Sequence, residues 1–260
     1  MVKGLARFKE HFREESGHYV LIGGVAAMHW LERAALLARA TKDLDIVLLV
    51  EGRDGGFQRR FWEFVRAGGY ENRQTSSGGR VYYRFSQPRE QDYPFMLELF
   101  SRKPDGLDLA GAPKMTPIPG GEDVSSLSAI LMDDAYYGIV RDNIQEEDGL
   151  PMLKPEGLIP LKARAWIDLT ERKAQGCGVD ERDIRKHRTD VFRLSQLLTP
   201  ARPVSVPETV RADLLRFLDH FPADSPEWPG ILQALAGGGR GGTLSAEDML
   251  RVLESAFVVQ

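Results

Sequence analysis

The sequence predicts an α/β fold whose C-terminal part is helical, and three observations carry that prediction. A short apolar run of strand type, Tyr19–Ile22, breaks at Gly23-Gly24 and leads straight into a helix-forming stretch. Further strand-type runs at residues 41–48, 81–85 and 95–100 alternate with a second helical stretch at residues 57–67. From Leu158 onward the apolar residues keep helical spacing almost throughout.

The elements follow in order. Residues 3–15 form an amphipathic helix with Leu5, Phe8 and Phe12 on one side. After the Tyr19 strand, residues 26–39 form a helix in which Ala27, Trp30, Leu31, Ala34 and Ala38 recur near every 3.6 residues. Residues 51–56 are a turn-rich loop. In the next helix Phe57, Phe61, Phe64 and Val65 share a face, and Gly68-Gly69 ends it with a C-cap. Residues 81–85 and 95–100 pair as a hairpin, and the Pro- and Gly-rich residues 102–122 form a long loop. Residues 135–140 and 151–153 read as two more strands. Pro160 sits in the first turn of the next helix, with Leu161, Ala165 and Leu169 on one face. Residues 180–198 and 209–221 are helices separated by a linker at 200–207. After the flexible run at 237–242, Ser245 and Asp248 make a capping box for a last helix carrying Met249, Leu250, Leu253 and Phe257.

Composition narrows the classes. The 260 residues are 42% hydrophobic, enough for one large domain or two small ones. No apolar run approaches the ~20 residues needed to span a bilayer, and the N-terminus carries charges where a signal peptide needs an apolar stretch. The single cysteine, Cys177, lies in a polar Gly-Cys-Gly segment and reads as a bystander. These features set the expectation of a cytoplasmic protein without a membrane partner. A net charge of −4 argues against a chain coated in positive charge for nucleic acid. Two arginine clusters leave room for a local patch: Arg73, Arg80, Arg84 and Arg89 around the hairpin, and Arg182, Arg185, Arg188 and Arg193 with Lys186 on a later helix. The second reads as a solvated helix face; the first is the better place for phosphate contact.

The chemistry centres on Thr41-Lys42-Asp43-Leu44-Asp45-Ile46-Val47-Leu48. Side chains two apart on a strand share a face, so Asp43 and Asp45 point the same way. Two carboxylates on one face of an apolar strand repel each other unless a cation sits between them. That pattern asks for a metal; the bland alternative is a solvated strand edge.

Gly23-Gly24 followed by Asp43-Leu44-Asp45 resembles the nucleotidyltransferase superfamily of the polymerase-beta type, and within it the AbiEii-like toxin branch. Eighteen residues separate Gly24 from Asp43, similar to that branch, and His29 and Arg39 fall where it often has a histidine and an arginine. The family carries a third carboxylate on a later strand; Glu98, in Phe95-Met96-Leu97-Glu98-Leu99-Phe100, is the match, although Asp is commoner there. Residues 152–163 look like the segment leading to a nucleotide-contacting lysine, in this chain Lys162. The resemblance covers residues 15 to 198.

It implies a nucleotidyltransferase-fold mixed sheet flanked by helices over residues 1–157 and a helical C-terminal domain over residues 158–260. It implies Mg2+ as cofactor, held by Asp43 and Asp45, with Glu98 either sharing a second metal with Asp45 or accepting the proton of the attacking hydroxyl. Gly23 and Gly24 would admit the NTP phosphates to the backbone, and Arg39, Lys42 and Lys162 would neutralise them. The acceptor would be RNA, such as tRNA, or a protein hydroxyl, as for a toxin with a cognate antitoxin. Two alternatives stand beside it: a small-molecule acceptor of the aminoglycoside type, and a non-catalytic interaction module on the same fold. Among single residues, Glu98 and Lys162 have plain readings as surface side chains. Lys186 and Asp190 can pair one helical turn apart, His29 reads as a core histidine, and His187 as a surface one.

Overall fold

The computed structural model of the chain describes residues 2–49, 56–77, 80–101, 116–117, 130–131, 133–236 and 245–259. The chain divides into two compact units, each assembled from separated segments. The first comprises Met1–Ala26, Ala40–Gly120 and Ile144–Leu153; the second comprises Ala27–Arg39, Gly121–Asn143 and Lys154–Gln260.

A mixed sheet organises the first unit. Its strands are β1 (Tyr19–Ile22), β2 (Asp43–Leu48), β3 (Glu71–Ser77), β4 (Arg80–Ser86), β5 (Met96–Ser101), β6 (Thr116–Pro117), β7 (Ile144–Glu147) and β8 (Leu150–Leu153). Among the described residues their order across the sheet is β6-β3-β4-β5-β2-β1-β8-β7. β2 runs antiparallel to β1 and parallel to β5, and β4 is antiparallel to β5. Two helices, α1 (Leu5–His11) and α3 (Gly56–Gly68), supply an aromatic core with the first strand. Phe8 meets Tyr19 edge-on at 5.5 Å and Phe64 at 5.6 Å, Phe12 lies 5.4 Å from Phe57, and Phe64 lies 4.7 Å from Tyr93. Each such ring buried contributes about 1.5–3 kcal/mol. The glycine pair after α3 caps it as expected: Gly69 is left-handed at φ 63°, and the Tyr70 amide reaches back to the Val65 carbonyl at 3.3 Å.

Helix α2 (Gly23–Arg33) begins in the first unit, and from Ala27 it belongs to the second. It starts three residues before the expected 26 and ends six before 39. Ala35 turns left-handed at φ 57°, its amide donates to Glu32, and the Leu36 amide donates to Leu31. That is a Schellman stop made by alanine in place of glycine, so nothing in the sequence announces it.

The second unit is helical, with α4 (Asp134–Asp142), α5 (Pro155–Ala174), α6 (Glu181–Ser195), α7 (Glu208–Asp219), α8 (Trp228–Leu235) and α9 (Ala246–Ala256). A parallel pair of short strands, β9 (Val204–Val206) and β10 (Phe257–Val259), completes it. The core gathers Trp166, Phe192, Phe217, Phe221 and Trp228, with Phe192 4.8 Å from Trp228 and Trp166 5.2 Å from Phe217. Among the described residues, side-chain caps set three helix starts: Asp133 for α4, Asp180 for α6 and Ser245 for α9.

Several sequence expectations need correction. Residues 135–140 are helix, not strand: Asp133 accepts from the amides of Ala135 and Tyr136, and Tyr136, Ile139 and Val140 bury a helical face. A short apolar run does not by itself separate the two states. α5 starts at Pro155, which leaves Pro160 inside it rather than in its first turn. The linker at 200–207 contains β9, and Phe257 has left the last helix for β10. The polar strands β3 and β7 and the helix α8 have no counterpart among the sequence expectations. Residues 51–55, the loop at 102–122 apart from Thr116–Pro117, and the run at 237–242 lie outside the described residues. Among the described residues no helix is long and apolar enough to cross a membrane.

Candidate active site

The site in the first unit grows from the β1–α2 turn and the two strands beside it. Gly23 sits at φ 63°, a left-handed conformation that an L side chain adopts only at a cost. A Cβ at Gly23 would lie 1.7 Å from Oδ2 of Asp45, a contact no real side chain makes. The missing side chain therefore lets the turn close onto the carboxylate. The Gly24 amide donates to the same Oδ2 at 3.4 Å, so Asp45 lies against the positive end of α2.

Strand register does the rest. Asp45 stands opposite Ile22 on β1 and opposite Glu98 on β5, while Asp43 stands opposite Met96. On β2, Asp43 and Asp45 are half-buried and Leu44 and Ile46 fully buried, so the two carboxylates share the open face. Glu98 is buried, and Arg84, opposite it on β4, grips its Oε1 through Nε at 2.7 Å and Nη2 at 2.6 Å. Burial pushes the Glu98 carboxyl up to about 8; the neighbouring Asp45 charge adds to the rise and the Arg84 guanidinium opposes it. Lys42, just ahead of β2, places its ammonium 5.7 Å from the ring of Phe95, an exposed aromatic just ahead of β5.

The donor chemistry fits Mg2+ in the way Mg2+ is usually held. Among the described residues no group of three or more His, Cys, Asp or Glu forms a ready-made metal cage. Magnesium takes one or two carboxylates and completes its shell with water and substrate phosphate. Asp43 and Asp45, hard oxygen donors on one open face, meet that requirement.

Lys162 and Arg39 belong to the second unit, where both face Asp190. Lys162 Nζ donates to Asp190 Oδ2 at 2.8 Å, Arg193 Nη1 reaches Oδ1 at 3.2 Å, and Arg39 Nη2 lies 3.9 Å from Oδ2. Lys162, Asp190 and Arg193 are all buried. Burial alone would raise the Asp190 carboxyl, but the charges of Lys162, Arg39 and His187 outweigh it and hold it below its ordinary range. Helical spacing suggests Lys186 as a partner of Asp190; Asp190 also holds the buried ammonium of Lys162, from the preceding helix. Nor are the later arginines a purely solvated face. Arg193 is buried on Asp190 and the Ala234 carbonyl, Arg188 is half-buried against Glu227, and Arg182 alone of these three is exposed, on Asp180. His29 is half-buried, edge-on to Trp30 at 5.4 Å, His187 is half-buried rather than on the surface, and Cys177 is exposed.

No family model matches the chain, and no curated protein does. Among solved structures it is similar to an antigenic nucleotidyltransferase-like protein from Paracoccidioides brasiliensis, at 14% identity over 83% of this chain and 84% of that one, with a TM-score of 0.39. It is also similar to a cytoplasmic RNA terminal U-transferase, at 12% identity over 96% of this chain and 62% of that one, with a TM-score of 0.29. At these scores the likenesses carry no weight for the chemistry, which rests on the site.

Proposed function

We propose that the chain is a Mg2+-dependent nucleotidyltransferase that moves a nucleoside monophosphate from an NTP to an acceptor hydroxyl. The observation that carries this reading is the Gly23-Gly24 turn closed onto Asp45, with Asp43 on the same strand face and Glu98 opposite. When bound, the metal supplies positive charge to the triphosphate and favours ionisation of the attacking hydroxyl. Asp43 and Asp45 hold it through carboxylate oxygens aimed from one strand. The Gly24 amide fixes Asp45 in place, and further amides at the start of α2 meet phosphate oxygens. Glu98 in its ionised form would take the proton of the attacking hydroxyl, and with its carboxyl pushed up to about 8 that form grows as pH rises toward 8. For Lys42 the family resemblance implies phosphate contact; in this chain its ammonium lies by the Phe95 ring. For Lys162 and Arg39 the family resemblance implies nucleotide contact; in this chain both carry the charge of Asp190.

For the acceptor we favour RNA, such as a tRNA end, or a protein hydroxyl, as in a toxin with a cognate antitoxin. The eighteen-residue spacing from Gly24 to Asp43 supports that reading. The net charge of −4 favours a second one, a cationic small molecule of the aminoglycoside type. Incubating the protein with Mg2+ and each α-labelled NTP, with total RNA or with aminoglycosides, tests both. Label on RNA or protein supports the first, and label on the drug the second. Label on neither, with no binding of Mg2+-NTP, overturns the enzyme in favour of a binding module.

A further inference from the structure

Across the sheet of the first unit, register places Arg84, Glu98 and Asp45 side by side on three adjacent strands. Directly opposed residues of neighbouring strands share a face. Glu98 is thus flanked by an anion on one side and a cation on the other. The cation is a built-in one. Both Nε and Nη2 of Arg84 converge on the single Oε1 of Glu98, within 2.7 Å, and the side chains are 22% and 8% exposed. Two charged N–H donors on one carboxylate oxygen make a strong, short pair, with Oε2 of Glu98 left on the Asp45 side. A divalent ion on the same carboxylate would sit against the guanidinium in a poorly solvated place, where like charges repel strongly.

We propose that Arg84 takes the place of a second divalent cation. It holds Oε1 of Glu98 and already supplies positive charge there, so the free protein binds one divalent metal, through Asp43 and Asp45, and Glu98 contributes no ligand. This rests on the metal reading of the aspartates under the proposed function. Removing the guanidinium should open a second metal site between Asp45 and Glu98.

The test is Mn2+ titration of the nucleotide-free full chain, with free Mn2+ read by electron paramagnetic resonance. The wild type should bind one Mn2+ per chain, weakened at least tenfold in Asp43→Asn/Asp45→Asn and unchanged in Glu98→Gln. Arg84→Met should bind a second ion that disappears in Arg84→Met/Glu98→Gln. Two ions on the wild type, one of them lost in Glu98→Gln, would overturn the proposal while leaving the metal reading intact. So would a folded Arg84→Met variant that still binds one. Wild-type protein that binds none, or whose binding ignores Asp43→Asn/Asp45→Asn, would instead sink the metal reading and this proposal with it. Should Arg84→Met fail to fold, Glu98→Gln in the native background still decides, since any tenfold weakening there contradicts the proposal.

Discussion

Replacing Gly23 by alanine puts the most stress on the proposed site for the smallest chemical change. The backbone is held at φ 63°, where an L residue costs about 1–2 kcal/mol. The new Cβ would fall 1.7 Å from Oδ2 of Asp45, so the carboxylate must move away by roughly 1.5 Å to reach ordinary packing distance. Moving it breaks the hydrogen bond from the Gly24 amide, and bonds to charged groups are worth about 1.5–3 kcal/mol. Together these give a loss of about 2–5 kcal/mol, or a fall in Tm of roughly 5–15 °C for a chain of this size. Catalysis should suffer more than stability, because a misplacement of about 1 Å at a reacting centre costs on the order of 10²-fold. Thermal unfolding followed by circular dichroism, with Mn2+ binding and nucleotide transfer on the same samples, reads all three. A Gly23→Ala protein with unchanged Tm, metal affinity and transfer would show that the close approach of turn and carboxylate is not what shapes the site.

Other outcomes can be checked alongside it. Folding raises the Glu98 pKa from its ordinary 4.5 to about 8, so the folded chain binds more protons than the unfolded one. Stability contributed at low pH is therefore lost as pH climbs through that window, by as much as about 5 kcal/mol; Glu98→Gln should flatten this slope in urea melts between pH 5 and pH 8.5. Asp190→Ala leaves the buried cations Lys162 and Arg193 without their carboxylate counter-charge and should cost about 3–5 kcal/mol by denaturant unfolding. Gly138 lies inside α4, where an added Cβ would meet nothing within 4 Å, so Gly138→Ala should stabilise by about 0.5–1 kcal/mol in the same assay.

Particular residues show what the sequence can and cannot reveal. Tyr19–Ile22 and the Asp43-Leu44-Asp45 strand are readable because an apolar run ended by glycines, and carboxylates at i and i+2, are local signals. The caps at Ser245 and Gly69 are readable for the same reason. The end of α2 is not, because Ala35 adopts a conformation that glycine usually marks. Strands β3 and β7 carry few apolar residues and are held by their neighbours, which a local pattern does not record. In sequence Arg84 belongs with arginines suited to phosphate; its match to Glu98 depends on a register that nine intervening residues, Gln87 to Phe95, leave open. Asp190 and Lys162 are 28 apart in sequence, so their contact follows from how two helices pack and not from any motif spacing.

The most direct test of nucleotidyl transfer by the Asp43–Asp45 pair is pyrophosphate release, because it is independent of which acceptor is used. The protein would be supplied with Mg2+, each NTP in turn and a mixed pool of RNA, protein and cationic small molecules. The expected result is pyrophosphate from at least one NTP, abolished by EDTA and by Asp43→Ala/Asp45→Ala. Release that persists at the wild-type rate in the double variant would contradict the assignment, as would no release with any NTP from folded protein.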